Sequence, residues 1–315
     1  MKFTEEKLEN TFVELLQNEG YPHTIGKNIA RSLEEVLIEQ DLINYLLAKY
    51  KDYQLSINEA KSIVLQIKNI SSNNLYESNK KIMRWLSDGF LFKRENHNQK
   101  DILIELIDFD NIHDSSKINY NIYKFVNQLE ILGSEKRIPD GIIYINGLPL
   151  VVFEFKSAIR EDTSIHDAYK QLTIRYRRDI PELFKYNAFC IISDGINTKA
   201  GSFFAQYEFF YAWRRVEGNE NDVDGIGSMF TLVQGMLNHN RLRDIINNFI
   251  YIPDTSKKNK KIVCRYPQYY AANNLFNNIK LTQKTTADGK GGTYFGATGC
   301  GKSFTMLYLT RLLMK

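Results

Sequence analysis

Residues 137–158 read RIPDGIIYINGLPLVVFEFKSA, two strongly apolar runs joined by Asn146-Gly147. An Asn-Gly pair between apolar runs is the strongest local signal for a β-hairpin. Runs this apolar lie in the middle of a sheet covered on both faces, which limits the chain to a layered fold with helices packed on a central sheet. The charged residues at the ends of the arms run against that pattern. One arm begins with Pro139-Asp140 and the other ends in Glu154-Phe155-Lys156.

Side chains alternate faces along a strand, so Glu154 and Lys156 share a face, roughly 7 Å apart. Asp140 joins them only if even positions pair with even. A two-residue Asn146-Gly147 turn pairs 145 with 148 and turns Asp140 away. A three-residue loop, Ile145-Asn146-Gly147 with Gly147 left-handed as a bulge, pairs 144 with 148 and 140 with 152, and sets Asp140 diagonal to Glu154. The three-residue loop is therefore expected. Two carboxylates this close repel unless one is protonated or a cation sits between them. Mg²⁺ suits hard oxygen ligands and keeps water in its shell. Held by Asp140 and Glu154, it would activate a water against a phosphodiester, with Lys156 orienting the water or stabilising the phosphate charge. The alternative for the same residues is a salt-bridged sheet edge.

The remainder of the chain fits around this hairpin. The first 88 residues carry helical periodicity: Thr4 caps a helix with Leu8, Phe12, Leu15 and Leu16 on one face, ending near Gly20 and Pro22, and further helices are expected over 25–49, 57–70 and 75–86. From residue 89 the period changes to strands in DGFLFKRE, DILIELIDFD, YKFVNQLEIL, the hairpin arms and AFCIISDG, with a helix over 166–179. Proline, small polar residues and lysines at 253–261 read as a linker, giving a unit over 1–252 (helical 1–88, core 89–252) and another over 262–315. Three scattered cysteines and the absence of Cys-x-x-Cys argue against a disulfide framework or a zinc site and suit a reducing, cytoplasmic setting. No apolar run reaches the roughly 18 residues of a membrane helix. The net charge of +4 is compatible with a polyanionic partner.

A second motif lies near the C-terminal end. Residues 296–303, GATGCGKS, fit Gly-x-x-x-x-Gly-Lys-Ser between an expected short strand and a helix. In that setting Gly296, Ala297, Thr298, Gly299, Cys300 and Gly301 cradle the phosphates of ATP. Lys302 reaches the β and γ phosphates, and Ser303 ligates Mg²⁺. Arg175, Arg177 and Arg178, at the end of the helix after the hairpin, suit a DNA backbone gripped through charge alone. Arg214, Arg215 and the lysines at 257, 258, 260 and 261 are weaker candidates.

Pro-Asp, a hairpin and Glu-x-Lys resemble the PD-(D/E)xK nuclease core. More narrowly, QLEILGSEKRIPDGIIYINGLPLVVFEFKSA, with HDAYKQLTIRYRRDIPELFKYNAFCIISDGINTKAGSF and the phosphate loop, is similar to the endonuclease and translocase (R) subunit of type I restriction enzymes. The resemblance implies an α/β fold: a mixed central sheet flanked by helices, preceded by a helical region and followed by the beginning of a P-loop, RecA-like motor. It also implies that Gln171 supports the catalytic residues, with Tyr176 as the matching tyrosine, although five residues amount to about 140° of turn in a regular helix. An acidic residue of the first helix joins the metal; Glu9 is the candidate, with Glu5, Glu6 and Glu14 as competitors. Arg265 and Gln268 fall where superfamily 2 helicases recognise adenine. The implied function is ATP-dependent translocation and Mg²⁺-dependent cleavage of duplex DNA away from the recognised site, in complex with specificity and methyltransferase subunits, with this chain as the N-terminal portion. Another nuclease-helicase of repair or restriction, or a catalytically inactive DNA-binding scaffold, is the alternative.

Overall fold

The structure is a computed structural model and describes residues 4–96, 98–110, 112, 116–157, 164–254, 259–283 and 288–315. Six strands form the central sheet in the order in which the chain makes them: β1 (His23–Ile25), β2 (Tyr123–Asn127), β3 (Gly141–Ile145), β4 (Leu148–Phe155), β5 (Phe189–Ser193) and β6 (Thr198–Gly201). The sheet is mixed. β1 runs parallel to β2 and β4 parallel to β5, while β2/β3, β3/β4 and β5/β6 are antiparallel. Every residue of β3, β4 and β5 is buried, which is why their sequences are continuously apolar instead of alternating.

Helices cover this sheet. In α1 (Glu5–Asn18) the Thr4 hydroxyl accepts from Lys7 N at 3.1 Å, and Leu8, Phe12, Val13 and Leu16 form the buried stripe. Phe12 stacks on Phe155 at 4.7 Å and meets Phe153 edge-on at 5.6 Å, fixing α1 to β4. Helices α2 (Glu39–Lys49), α3 (Ile57–Lys68) and α4 (Leu75–Asp88) follow, α3 opened by a Ser56/Glu59 capping box. The parallel β4/β5 pair requires a crossover, and α5 (Ile165–Lys170) begins it; a π-turn over Gln171–Tyr176 and a short helix at Arg177–Asp179 complete it. Near the C-terminal end, α6 (His239–Asn248), α7 (Tyr266–Leu281) and α8 (Lys302–Met314) pack together.

Three expectations are corrected. The helix expected from residue 25 begins at Glu39. The preceding residues His23–Ile25 pair instead with Phe125–Asn127, and Gly26 passes so close to Leu129 that a Cβ would lie 2.4 Å from its Cα. Tertiary pairing overrides the helical period there. The hairpin loop is the two-residue turn, since Ile145 pairs with Leu148 and both Asn146 (φ +52°) and Gly147 (φ +74°) are left-handed. The parity is restored further along. Tyr144 pairs with Pro149 but Ile143 with Val151, so Leu150 is an extra residue, a β-bulge, and Ile142 then pairs with Val152 and Gly141 with Phe153. The third correction concerns residues 291–296, which form no strand among the described residues, because no described segment offers them a ladder.

Of the expected linker, residues 255–258, including Lys257 and Lys258, lie outside the described residues. Its two sides meet again: Ile250–Tyr251 pairs antiparallel with Ile262–Val263, and Lys261 is buried. Among the described residues no helix is long and apolar enough to cross a membrane.

Candidate active site

Asp140 lies one residue before β3. Continuing the β3/β4 register by one step sets it opposite Glu154, on the face that Lys156 shares. The convergence expected from the sequence is reached, by a bulge in β4 instead of a longer loop. The half-buried Asp140 caps the strand end: its Oδ2 accepts from Phe155 N at 2.5 Å. Glu154 is fully buried and its Oε1 accepts from Lys156 Nζ at 3.0 Å. Lys156 N donates to Ser193 O at 2.9 Å, which extends the β4/β5 ladder and holds the lysine backbone. Its Nζ also donates to Phe155 O at 2.8 Å.

Burial dominates the electrostatics. Desolvation pushes the Asp140 carboxyl up to about 7, with Glu9 and Glu5 adding to the rise and Phe155 N–H and Lys156 opposing it. The Glu154 carboxyl is raised well above its ordinary value by burial and then by Asp140. For Lys156 burial works against the charge, but Glu154, Asp140 and Glu5 outweigh it and hold the ammonium above its usual value. These neighbours favour the charged, hydrogen-bond-donating form of Lys156. Among the described residues, Glu154 Oε2 is buried with no hydrogen-bond partner. Burial thus raises both carboxyl groups, and Glu154 keeps one oxygen without a partner.

The helix after β4 brings two further residues to this point. Gln171 Nε2 donates to the Tyr176 hydroxyl at 3.0 Å, and that hydroxyl donates to Ile138 O at 3.2 Å, two residues before Asp140. The π-turn makes this possible, because its i→i+5 bonding brings residues five apart onto one side. Tyr176 lies beside Glu154, and its own ionisation is suppressed by burial and by that carboxylate.

Glu9 is placed elsewhere. Its carboxylate accepts from Asn127 Nδ2 at 2.8 Å and from Gln128 Nε2 at 2.9 Å, so it influences Asp140 through charge and not by contact. Glu5, one turn earlier on α1, is nearer the lysine: its Oε1 lies 3.9 Å from Lys156 Nζ and 3.4 Å from Ser157 N. Among the described residues no group of three His, Cys, Asp or Glu side chains is arranged to hold a metal. A cation here would take two protein carboxylates, with water or substrate oxygens completing its shell.

Of the three arginines, Arg175 is exposed, Arg177 lies over the Phe203 and Phe204 rings at 5.3 and 5.5 Å, and Arg178 pairs with Asp179 at 2.6 Å. The weaker candidates Arg214 and Arg215 pair with Asp224 and Asp222. In the glycine-rich loop, Gly299 (φ +80°) and Gly301 (φ +86°) are left-handed, and Lys302 opens α8 with Ser303 in its first turn. Lys302 Nζ folds back onto Gly296 O (2.8 Å) and Ala297 O (3.1 Å). Gln268 Nε2 reaches Gly301 O at 3.4 Å, whereas the Arg265 guanidinium stacks 3.6 Å from the Tyr211 ring centre. Gln268 is thus at the loop, and Arg265 is engaged by Tyr211.

Comparison with known proteins places the chain as a whole. The family described as type I restriction enzyme R protein N terminus matches residues 2–209, and the chain belongs to it. Among individual relatives, the type I restriction enzyme HindI endonuclease subunit of Haemophilus influenzae is 29% identical over 323 residues, covering 98% of this chain and 30% of its own length. The type I restriction enzyme SauCOLORF180P endonuclease subunit of Staphylococcus aureus is 26% identical over 197 residues, 61% of this chain and 19% of its own length. The chain spans less than a third of the length of these relatives.

Proposed function

We propose that the chain carries the nuclease centre of a type I restriction endonuclease subunit, of the PD-(D/E)xK kind. On this reading it hydrolyses phosphodiester bonds of duplex DNA, and residues 262–315 begin an ATP-driven translocase. The observation that carries the proposal is the register that sets Asp140 opposite Glu154, with Lys156 bonded to Glu154 on the same face.

The residues fit a hard divalent cation such as Mg²⁺. The donors are carboxylate oxygens, both groups resist carrying charge unaided, and Glu154 Oε2 is buried without a partner. Asp140 and Glu154 would hold the ion, which when bound supplies a more acidic water and neutralises charge on the scissile phosphate. The side chains do the rest. Asp140 and Glu154 would release any bound protons to solvent on taking up the cation. Lys156, kept protonated by its carboxylate neighbours, donates to a non-bridging phosphate oxygen or orients the attacking water. The Tyr176 hydroxyl steadies the Ile138–Asp140 segment, and Gln171 orients the hydroxyl. Arg175, Arg177 and Arg178 supply charge for the flanking DNA backbone. The glycine-rich loop, Lys302, Ser303 and Gln268 would bind ATP and its Mg²⁺. Specificity and methyltransferase subunits would supply sequence recognition.

The test uses the full-length subunit assembled with its partners on duplex DNA. Mg²⁺- or Mn²⁺-dependent cleavage should be lost in Lys156→Ala while ATP hydrolysis persists. Cleavage by Lys156→Ala at the wild-type rate would overturn the assignment.

A further inference from the structure

The shared face of Asp140 and Glu154 depends on one extra residue. With the two-residue turn alone, position 140 would fall opposite 153 and its side chain would point to the other face; the bulge at Leu150 shifts the pairing by one. Pro149 supplies part of the reason, because it has no N–H to give to a regular ladder. A bulge without further support is free to slip, so what holds Leu150 is decisive.

Its carbonyl is held from the neighbouring strand. Leu150 O accepts from Ala188 N at 2.7 Å and from Asn187 Nδ2 at 3.2 Å. Asn187 is wholly buried and every polar atom of its side chain is committed. Nδ2 also donates to Phe189 O at 2.7 Å, and Oδ1 takes the Cys190 thiol at 3.6 Å. Its backbone carbonyl is gripped in turn by Asn79 Nδ2 of α4 at 2.8 Å and by Lys261 Nζ at 2.5 Å. Lys261 Nζ donates to Asn79 Oδ1 as well, at 2.9 Å, and burial lowers its pKa to about 7. A lysine this deep is costly to bury, and polar groups in such a place are retained when they specify an arrangement.

We propose that Asn187 is a positioning residue for the carboxylate pair: it clamps the Leu150 bulge that sets Asp140 opposite Glu154, and Lys261 and Asn79 hold Asn187 in place. The proposal rests on the nuclease reading above. It also gives the segment after residue 258 a part in the geometry of the cleavage site, since Lys261 reaches the catalytic hairpin through a single intervening residue.

The experiment compares wild-type, Asn187→Ala, Asn187→Asp and Lys261→Met full-length subunits in the assembled complex, titrating Mg²⁺ and recording cleavage and ATP hydrolysis. The aspartate keeps the shape and loses the donor to Leu150 O. Both Asn187 variants should cleave about 10- to 100-fold more slowly and need more Mg²⁺ for half-maximal rate, with ATP hydrolysis unchanged. A purely structural role would lower the folded fraction without moving the Mg²⁺ midpoint. Should the Asn187 variants fail to fold, Lys261→Met carries the test, with a displaced midpoint expected and a wild-type midpoint overturning the proposal. Wild-type cleavage and Mg²⁺ dependence in folded Asn187 variants, with Lys156→Ala inactive, would overturn the positioning role and leave the nuclease reading intact. No metal-dependent cleavage by the wild-type assembly would remove the nuclease reading and this inference together.

Discussion

Gln171 and Tyr176 are joined side chain to side chain at 3.0 Å although they stand five residues apart on one helical segment. The π-turn between them is the cause, and the hydroxyl's second bond, to Ile138 O at 3.2 Å, ties the crossover helix to the segment that carries Asp140. Widened turns of this kind are frequent at functional sites.

Tyr176→Phe removes that tie while keeping the ring in its buried place. Cleavage by the assembled complex should fall about tenfold or more, as for other residues that orient metal-site ligands. Gln171→Ala should lower it in the same direction. Because the two act in series, the double variant should be no slower than the slower single one; additive losses would show that they act independently.

The buried carboxylates make the fold pH-dependent. An unfolded aspartate titrates near 3.9, whereas burial raises Asp140 to about 7, and Glu154 is shifted in the same direction. Between those values the folded protein binds more protons than the unfolded chain, so stability falls as pH rises from about 4 to about 7. The stabilising contribution is complete below the unfolded value and gone above the folded one. Asp140→Asn should therefore raise the melting temperature at pH 8 and raise it much less at pH 4.5. Mg²⁺ should raise the wild-type melting temperature at pH 8 and do less for Asp140→Asn. Melting curves at the two pH values with and without Mg²⁺ decide it; an Asp140→Asn variant less stable at pH 8 would contradict the assigned strain.

Lys302 rests on the carbonyls of its own loop, Gly296 and Ala297, and is the charge that phosphate would draw away. Lys302→Ala should weaken binding of a fluorescent ATP analogue by about 1.5–3 kcal/mol, the range for hydrogen bonds to charged groups. The side chain is exposed, so stability should change by no more than about 0.5 kcal/mol. Equal nucleotide affinity in the two proteins would argue against an ATP site here.

Much of this was legible in the sequence, for identifiable reasons. The hairpin, the crossover helix and the Thr4-capped first helix follow from local signals, an Asn-Gly turn and helical periodicity with a cap, and the structure has all three. The convergence of Asp140 with Glu154 was also expected, but by a different route. The turn is two residues long, and the compensating bulge was signalled only by Pro149, a residue without a donor inside an otherwise regular strand. The link between Gln171 and Tyr176 was hidden because periodicity presumes a regular helix. Residues 25–38 misled because their partners lie about a hundred residues on: Ile25 pairs with Asn127, Leu33 O accepts from Leu132 N and Ile38 N donates to Gly147 O, which no local pattern reveals. Asn187 carries no sequence signature, and Lys261 reads from sequence as an exposed linker lysine suited to DNA, whereas it is buried and bonded to Asn79 and Asn187.

The hairpin tip has a wider consequence. Asn146 is fully buried, its amide bonded to Leu106 O and Asn121 Oδ1 at 2.9 Å, and Gly147 O accepts from Ile38 N at 2.9 Å. A Cβ on Gly147 would stand 2.1 Å from Ile38 O. The place where most hairpins tolerate an inserted peptide is here enclosed by segments from the first 121 residues. The hairpin that carries Asp140 and Glu154 cannot reach its final shape until those segments have docked around its end. The amino-terminal helices and the sheet therefore form one cooperative folding unit, and a fragment cut at the apparent helix-to-strand border would leave both halves without their shared interior.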